Sequence, residues 1–403
     1  MTQTHPIKIT TTRPKEGDDD VGLEVLPPLS LYVHIPWCVR KCPYCDFNSH
    51  EQRGELAEAK YIDALISDLD GSLPNIWGRR VYTIFFGGGT PSLFSAESLD
   101  RLLSNIRARI NIVPDAEITL EANPGTFEAE KFAAYRRIGI NRLSIGIQSF
   151  NPTHLKALGR IHDDNEARRA VAIATDNFEN FNLDLMYALP KQTLDEALAD
   201  VDAAIALGAP HISAYHLTLE PNTLFHKRPP PLPDHDASAA MQEAIEARLA
   251  SAGYEHYETS VFTKPEHRCK HNLNYWQFGD YLGIGAGAHS KLSFRDRIVR
   301  ETRVKHPETY LKRIAAAQDV CEQHNVGIAD LPFEFMMNAL RLIDGFDTTL
   351  FPDRTGMPIN ILASQLKKAE QQGLLKRDSQ HIRPTAKGQR FLNDLLELFL
   401  PDD

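Results

Sequence analysis

The chain has 403 residues, 42% of them hydrophobic and 24% charged, with a formal net charge of −10. That composition suits an ordinary globular protein with room for two or three domains, and the negative balance argues against general nucleic-acid affinity, which needs a positive surface. No run of about 18 apolar residues is present to cross a membrane, and five cysteines, three of them clustered, do not form a disulfide framework pattern.

Residues 1–28 are polar and threonine-rich, with an acidic run at Asp18, Asp19 and Asp20 and no apolar segment of signal-peptide type. They read as a flexible leader on a cytoplasmic protein. Residues 32–47 follow as Tyr-Val-His-Ile-Pro-Trp-Cys-Val-Arg-Lys-Cys-Pro-Tyr-Cys-Asp-Phe, which spaces Cys38, Cys42 and Cys45 as C-x3-C-x2-C. Thiolates are soft ligands for iron–sulfur clusters, zinc or Cu(I). A [4Fe–4S] cube is normally held by four cysteines. Three from one loop leave one iron open, as catalytic metal sites keep an open position. Spacing alone also allows zinc, with Cys269 or His271 as the fourth ligand, or thiols without metal.

The C-x3-C-x2-C spacing with Tyr44 before the last cysteine resembles the signature of the radical S-adenosylmethionine superfamily. The longer string from Tyr32 to Cys38, with the following Lys-Cys-Pro-Tyr-Cys-Asp-Phe-Asn-Ser-His, resembles the haem-chaperone branch (HemW type) of the oxygen-independent coproporphyrinogen III oxidase family. The resemblance implies a [4Fe–4S] cluster on Cys38, Cys42 and Cys45, with S-adenosylmethionine as the exchangeable ligand and Tyr32 and Tyr44 beside it.

From residue 30 short apolar segments at 31–35, 81–86, 117–121, 142–148, 181–187 and 211–217 alternate with helical stretches near 55–70, 96–109, 128–138, 163–175, 193–206 and 236–252. Six such units imply an α/β fold with a parallel sheet and right-handed crossovers. Periodicity does not choose between an open doubly wound sheet and a barrel. The resemblance implies a six-unit partial (β/α) barrel of radical S-adenosylmethionine type over 29–255.

Reacting groups in parallel α/β folds gather where strands end. Gly87, Gly88, Gly89, Thr90 and Pro91 follow the second strand, either as a tight turn or as backbone that approaches a ligand closely. Glu121 ends the third strand, Gln148 the fourth, and Arg160 and Asp184 continue the series. Read as residues, these are helix caps, ion pairs or strand ends that need partners. The resemblance implies that Gly88, Gly89, Thr90, Glu121, Gln148, Arg160 and Asp184 contact S-adenosylmethionine.

Arg228-Pro-Pro-Pro-Leu-Pro233 reads as a stiff surface connection. A connecting region is expected over 256–304. In it His271-Asn-Leu-Asn-Tyr-Trp276 places an imidazole beside aromatic rings, which is either a hydrogen-bonded structural histidine or a haem ligand. The H-N-x-x-Y-W string resembles a motif of the haem-chaperone branch and implies His271 as a haem contact. Gly283-Ile-Gly-Ala-Gly-Ala-His289 reads as a ligand-facing loop, and a dinucleotide reading of it is weak.

Residues 305–403 read as helix, helix, hairpin and helix, a winged-helix-like domain whose Lys376, Arg377, Arg383, Lys387 and Arg390 give either a solvated basic face or a contact for anions. That contact would be nucleic acid, membrane headgroups or haem propionates; no specific nucleic acid is expected, and a peripheral membrane contact stays open. Coproporphyrinogen-oxidising relatives carry a further cysteine two places after the third, where this chain has Phe47. The resemblance therefore implies haem binding and transfer to acceptor proteins, with coproporphyrinogen III oxidation as the alternative and a zinc protein of the same fold as a third reading.

Overall fold

The computed structural model describes residues 21–126 and 129–401. Six segments alternate side chains with the two-residue period of a strand whose faces meet different surroundings. They form β1 (Leu29–Ile35), β2 (Arg80–Gly88), β3 (Asn111–Ala122), β4 (Arg142–Gln148), β5 (Asn180–Tyr187) and β6 (His211–His216). Each pairs in parallel with the next. Val33, Phe86, Leu120, Ile145, Leu183 and Ile212 belong to one continuous buried core. The opposite face carries polar side chains, among them Glu121, Ser144, Asp184 and Ser213, which line a cavity.

Six helices follow those strands: α1 (Glu58–Ile76), α2 (Ala96–Arg109), α3 (Ala129–Ile138), α4 (Asp164–Asn177), α5 (Leu194–Ala206) and α6 (His235–Ser251). Their starts are locally encoded. Asp163 with Glu166, and Thr193 with Glu196, form reciprocal capping boxes that satisfy orphan amides at the first turns of α4 and α5. In α1 the i, i+3, i+4 spacing buries Tyr61, Ile62, Leu65 and Leu69 against the sheet.

The barrel stays open. The strands that follow are β7 (Glu255–Glu258), β8 (Val261–Thr263), β9 (Asp280–Ile284), β10 (His289–Ser293), β11 (Ile298–Arg303) and β12 (Cys321–Asn325). They extend the sheet to the order β12-β11-β10-β9-β1-β2-β3-β4-β5-β6-β8-β7. Among the described residues no strand joins β6 to β1, so the six-unit barrel is partial. Residues 256–304 are thus woven into both edges of the main sheet rather than linking two bodies, and β12 carries the sheet past residue 305. Between β8 and β9, α7 (Lys270–Trp276) crosses under β1 and β2.

A second core holds Phe335, Met336, Phe351, Leu366, Leu375, Ile382 and Leu395. Its helices include Leu331–Ala339 and Ala363–Gln371, and its small sheet is β13 (Phe346–Asp347), β14 (Leu375–Arg377) and β15 (His381–Pro384), with β15 in the middle. Helix, helix and hairpin fall where the sequence places them. Much of the basic face is engaged: Arg390 pairs with Glu246 of α6 at 2.7 Å, and Arg377 with Glu370 at 3.0 Å.

The leader expected over 1–28 lies outside the described residues up to 20. Val21 and Leu23 are already packed in the second core. At the joint of the two cores, buried Asp280 takes Lys291 at 2.9 Å and Arg79 at 2.8 Å, and Lys291 Nζ also donates to the carbonyl of Phe278 at 3.0 Å.

Candidate functional site

The thiol loop springs from the C-terminal end of β1 and returns beside it, with the amide of His50 on the carbonyl of Pro36 (2.7 Å) and that of Gln52 on the carbonyl of Cys38 (2.8 Å). Lys41 Nζ draws the loop shut by donating to the carbonyls of Phe47 (3.2 Å) and Ser49 (3.1 Å). Asn48 Nδ2 ties it to the rest of the sheet through the carbonyls of Ala286 and Lys305, both at 2.9 Å. All five cysteines are free thiols, and Cys38, Cys42 and Cys45 share a wall of one cavity of about 480 Å³.

The same cavity is lined by Tyr44, Gly88, Gly89, Thr90, Glu121, Gln148, Arg160 and Asp184. The glycine run serves packing as well as approach. The amide of Gly89 donates to Ile35 (2.8 Å) and that of Thr90 to Trp37 (2.7 Å), and a side chain at Gly89 would overlap the carbonyl of Trp37. Gly88 has φ +118°, and its amide donates to Glu121 Oε2 at 3.0 Å. Arg160 spans the site: its guanidinium donates to Asn123 Oδ1 (2.5 Å) and the carbonyl of Gly146 (2.6 Å), and lies 3.6 Å from Cys42 Sγ. Gln148 adopts φ +67°, a strained conformation for a side-chain-bearing residue. The turn beyond it is held by Asp200, which accepts from Ser149 Oγ (2.7 Å) and the Phe150 amide (2.6 Å).

Burial governs the ionisation here. It pushes the Cys38 thiol up to about 11, against a hydrogen bond from Thr90, and it raises Cys45. Unaided, both stay protonated near neutral pH, so thiolate character requires a cationic group among them. A soft, all-sulfur donor set with Arg160 nearby fits an iron–sulfur group. Burial and the charge of Asp184 lift Glu121 to about 8. Burial lifts Asp184 to about 6, opposed by hydrogen bonds from Asn182 (2.8 Å) and Ser144 (3.2 Å).

Two residues singled out in the sequence stand elsewhere. Tyr32 lines a second cavity of about 350 Å³, which shares Gly88, Glu121 and Phe47 with the first. His271 is buried and lines neither cavity. Its Nδ1 lies 2.7 Å from Thr83 Oγ1, its ring stacks on Phe85 at 4.9 Å, and burial lowers it to about 3, with Arg142 adding to the effect. Cys269 is buried too, with its thiol donating to Glu117 at 3.5 Å. Neither joins the three thiols, and among the described residues no three His, Cys, Asp or Glu side chains converge on a single ion position. The fourth ligand that a tetrahedral zinc site would draw from Cys269 or His271 is therefore not at hand.

Other cavity residues escape the sequence reading: Asn123, Arg142, Ser144, Asn182, Ser213 and Tyr215. Their signal is plain once the strand faces are known. Arg142 and Ser144 precede Gln148 by even steps, and Asn182 precedes Asp184 by two, so each pair shares a face.

Residues 32–204 match the family model of the Radical SAM superfamily, and residues 329–391 that of the HemN C-terminal domain. Over 379 residues the chain is 50% identical to the Heme chaperone HemW of Escherichia coli (strain K12), covering 94% of this chain and 99% of that protein. It is likewise 50% identical over 384 residues to the Heme chaperone HemW of Haemophilus influenzae, with 94% and 99% covered, and 35% identical over 387 residues to that of Mycobacterium tuberculosis (strain H37Rv), with 93% and 95% covered. The solved structure of coproporphyrinogen III oxidase (HemN) from Escherichia coli, described as a radical SAM enzyme, superposes with a TM-score of 0.80 at 24% identity over 94% of this chain and 91% of that one. This last likeness speaks for the fold. With identity of this depth running through both the barrel and the C-terminal domain, the chain belongs to the HemW family of the radical SAM superfamily.

Proposed function

We propose that the protein is a haem chaperone that binds haem and passes it to acceptor proteins, with a [4Fe–4S] cluster on Cys38, Cys42 and Cys45. The observation that carries this reading is the convergence of the three thiols with Glu121, Gln148, Arg160 and Asp184 on one cavity, in a chain half identical to proteins named as haem chaperones. When bound, the cluster supplies an open iron for S-adenosylmethionine and a source of single electrons.

The chain's own residues provide the rest. Arg160 sets a permanent positive charge 3.6 Å from Cys42 Sγ. A hydrogen bond from Thr90 favours the thiolate of Cys38. Glu121 and Asp184 are acceptors for hydroxyl or ammonium groups, and Gly88, Gly89 and Thr90 bring backbone close to whatever lies against them. Tyr44 packs near Phe225, with ring centres 6.3 Å apart, and closes one side of the cavity. Tyr32 reaches the same carboxylate region from the second cavity. Five free thiols suit a reducing compartment, the cytoplasm. No helix of the described chain is long and apolar enough to cross a membrane.

The test is haem titration of the anaerobically reconstituted protein. A Soret band that stays with the protein through gel filtration, followed by transfer to an apo-acceptor, is expected; no haem retention overturns the reading. The intact set of polar tip residues around the thiols also favours a second reading, radical oxidation of coproporphyrinogen III. Protoporphyrinogen formed with reductant and S-adenosylmethionine would establish it. Phe47, 65% exposed where oxidising relatives have cysteine, stands against it.

A further inference from the structure

The second cavity differs in kind from the thiol cavity. Tyr32, Tyr275, Tyr281 and Phe47 give it aromatic walls, and two imidazoles, His34 and His289, reach it. The Tyr275 and Tyr281 rings meet edge to face with centres 4.4 Å apart. Phe47 leaves an apolar ring at the rim, open to solvent. Flat apolar surface, a histidine and an open mouth are the features that a metallated macrocycle would use.

The two histidines are not equivalent. His34 is spent at both nitrogens, Nδ1 lying 3.0 Å from Tyr32 Oη and Nε2 2.9 Å from the carbonyl of Asn48. His289 uses Nδ1, 3.2 Å from Thr302 Oγ1, and no hydrogen-bond partner among the described residues occupies Nε2. A partner on one nitrogen orients the ring and fixes which nitrogen can ligate a metal. Burial, then the charges of Lys305 and Arg300, hold His289 below the usual histidine range. His271 offers no such access, being enclosed by Thr83, Phe85 and Tyr275.

We propose that this second cavity is the haem seat, with His289 Nε2 as an axial ligand to the iron and the tyrosines and Phe47 against the macrocycle. The proposal rests on the reading of haem as cargo and gives that cargo a place. A cavity of about 350 Å³ with an open mouth grips part of the macrocycle and leaves an edge outside, where an acceptor could reach it. The seat also adjoins the thiol loop. Gly88, Glu121 and Phe47 belong to both cavities, and Asn48 bonds the loop to the carbonyls on either side of His289, those of Ala286 and Lys305. The glycine-rich turn before His289 is built for this closeness: Gly287 has φ +82°, and a side chain there would overlap Asn48.

The test titrates ferric haem into full-length reconstituted wild type, His289→Ala and His271→Ala, reading the Soret maximum and the dissociation constant with and without added imidazole. His289→Ala is expected to bind at least about tenfold more weakly with a displaced Soret maximum, and imidazole to restore the wild-type spectrum; His271→Ala is expected to keep the wild-type Soret position. His289 stands at an exposed rim, so its loss does not threaten the core. Wild-type spectrum and affinity in His289→Ala would overturn the assignment, as would a His289→Ala defect that imidazole leaves unchanged, or a displaced Soret maximum in His271→Ala that imidazole restores. Failure of the wild type itself to bind haem would instead remove the cargo reading on which the seat depends.

Discussion

Glu121 on β3 and Asp184 on β5 open onto the same cavity, and the charge of Asp184 adds to burial in lifting the Glu121 carboxyl to about 8. Its folded value lies above its unfolded one, so the folded chain holds the extra proton. This contribution to stability is fully present below the ordinary glutamate range and is lost as pH rises through about 8. A cationic ligand beside Glu121 reverses the balance by favouring the carboxylate, and its binding releases the proton. The thermal shift produced by S-adenosylmethionine should therefore be larger at pH 8 than at pH 6, and Glu121→Gln should flatten the difference. Equal shifts at both pH values in the wild type would refute the coupling.

Replacing Cys38, Cys42 or Cys45 singly by alanine should abolish stable cluster assembly, reducing iron and sulfide per chain about tenfold or more after anaerobic reconstitution. Cys269→Ala should keep the wild-type content, because its thiol points to Glu117. Zinc recovered in place of iron and sulfide, or a dependence on Cys269, would contradict the assignment.

Arg160→Lys keeps the charge but not the fork that reaches Asn123 and the Gly146 carbonyl together. S-adenosylmethionine affinity is expected to fall about tenfold, since a lost charge-assisted bond is worth roughly 1.5–3 kcal/mol, while the fold persists. Equilibrium dialysis with labelled ligand reads the change, and unaltered affinity would mean that Arg160 only braces the loop.

Asp280 answers two cations, buried Lys291 and partly buried Arg79. Asp280→Ala strands both and should cost about 3–5 kcal/mol, the usual penalty for breaking a buried pair. The Lys291 and Arg79 charges hold the carboxyl below its ordinary value against burial, so this stabilisation is lost only as pH falls through that lowered pKa. Chemical denaturation at pH 7 measures it. A loss under about 1 kcal/mol would show that the cations find other partners.

Much of this architecture is legible in the residues because it is local. The reciprocal caps at Asp163 and Thr193 involve residues three apart, and the hairpin expected within 305–403 needs only neighbours in sequence, being formed by β14 and β15. The third strand is shorter in the reading, at 117–121, because Pro114 and Asp115 break the alternation of a strand that in fact begins at Asn111. At the site, Glu121 and Gln148 near strand ends and Asp184 within β5 are picked out through the family pattern, whereas Arg142, Ser144 and Asn182 need the knowledge that the face away from the buried core is polar. The pairing of Asp280 with Arg79, some two hundred residues apart, leaves no trace in spacing. Nor does the inward turn of His271 onto Thr83, since its aromatic neighbours suit a core as well as a ligand.

Val21 and Leu23 sit in the C-terminal core, their amides on the carbonyls of Asp296 and Arg295, and the carbonyl of Val21 rests against Gly356 so closely that no methyl group would fit between them. Residues 21–23 are thus a plank in the wall of the C-terminal domain. Removing residues 21–23 would loosen a domain more than three hundred positions downstream while sparing the barrel, so that domain is to be studied with this segment in place.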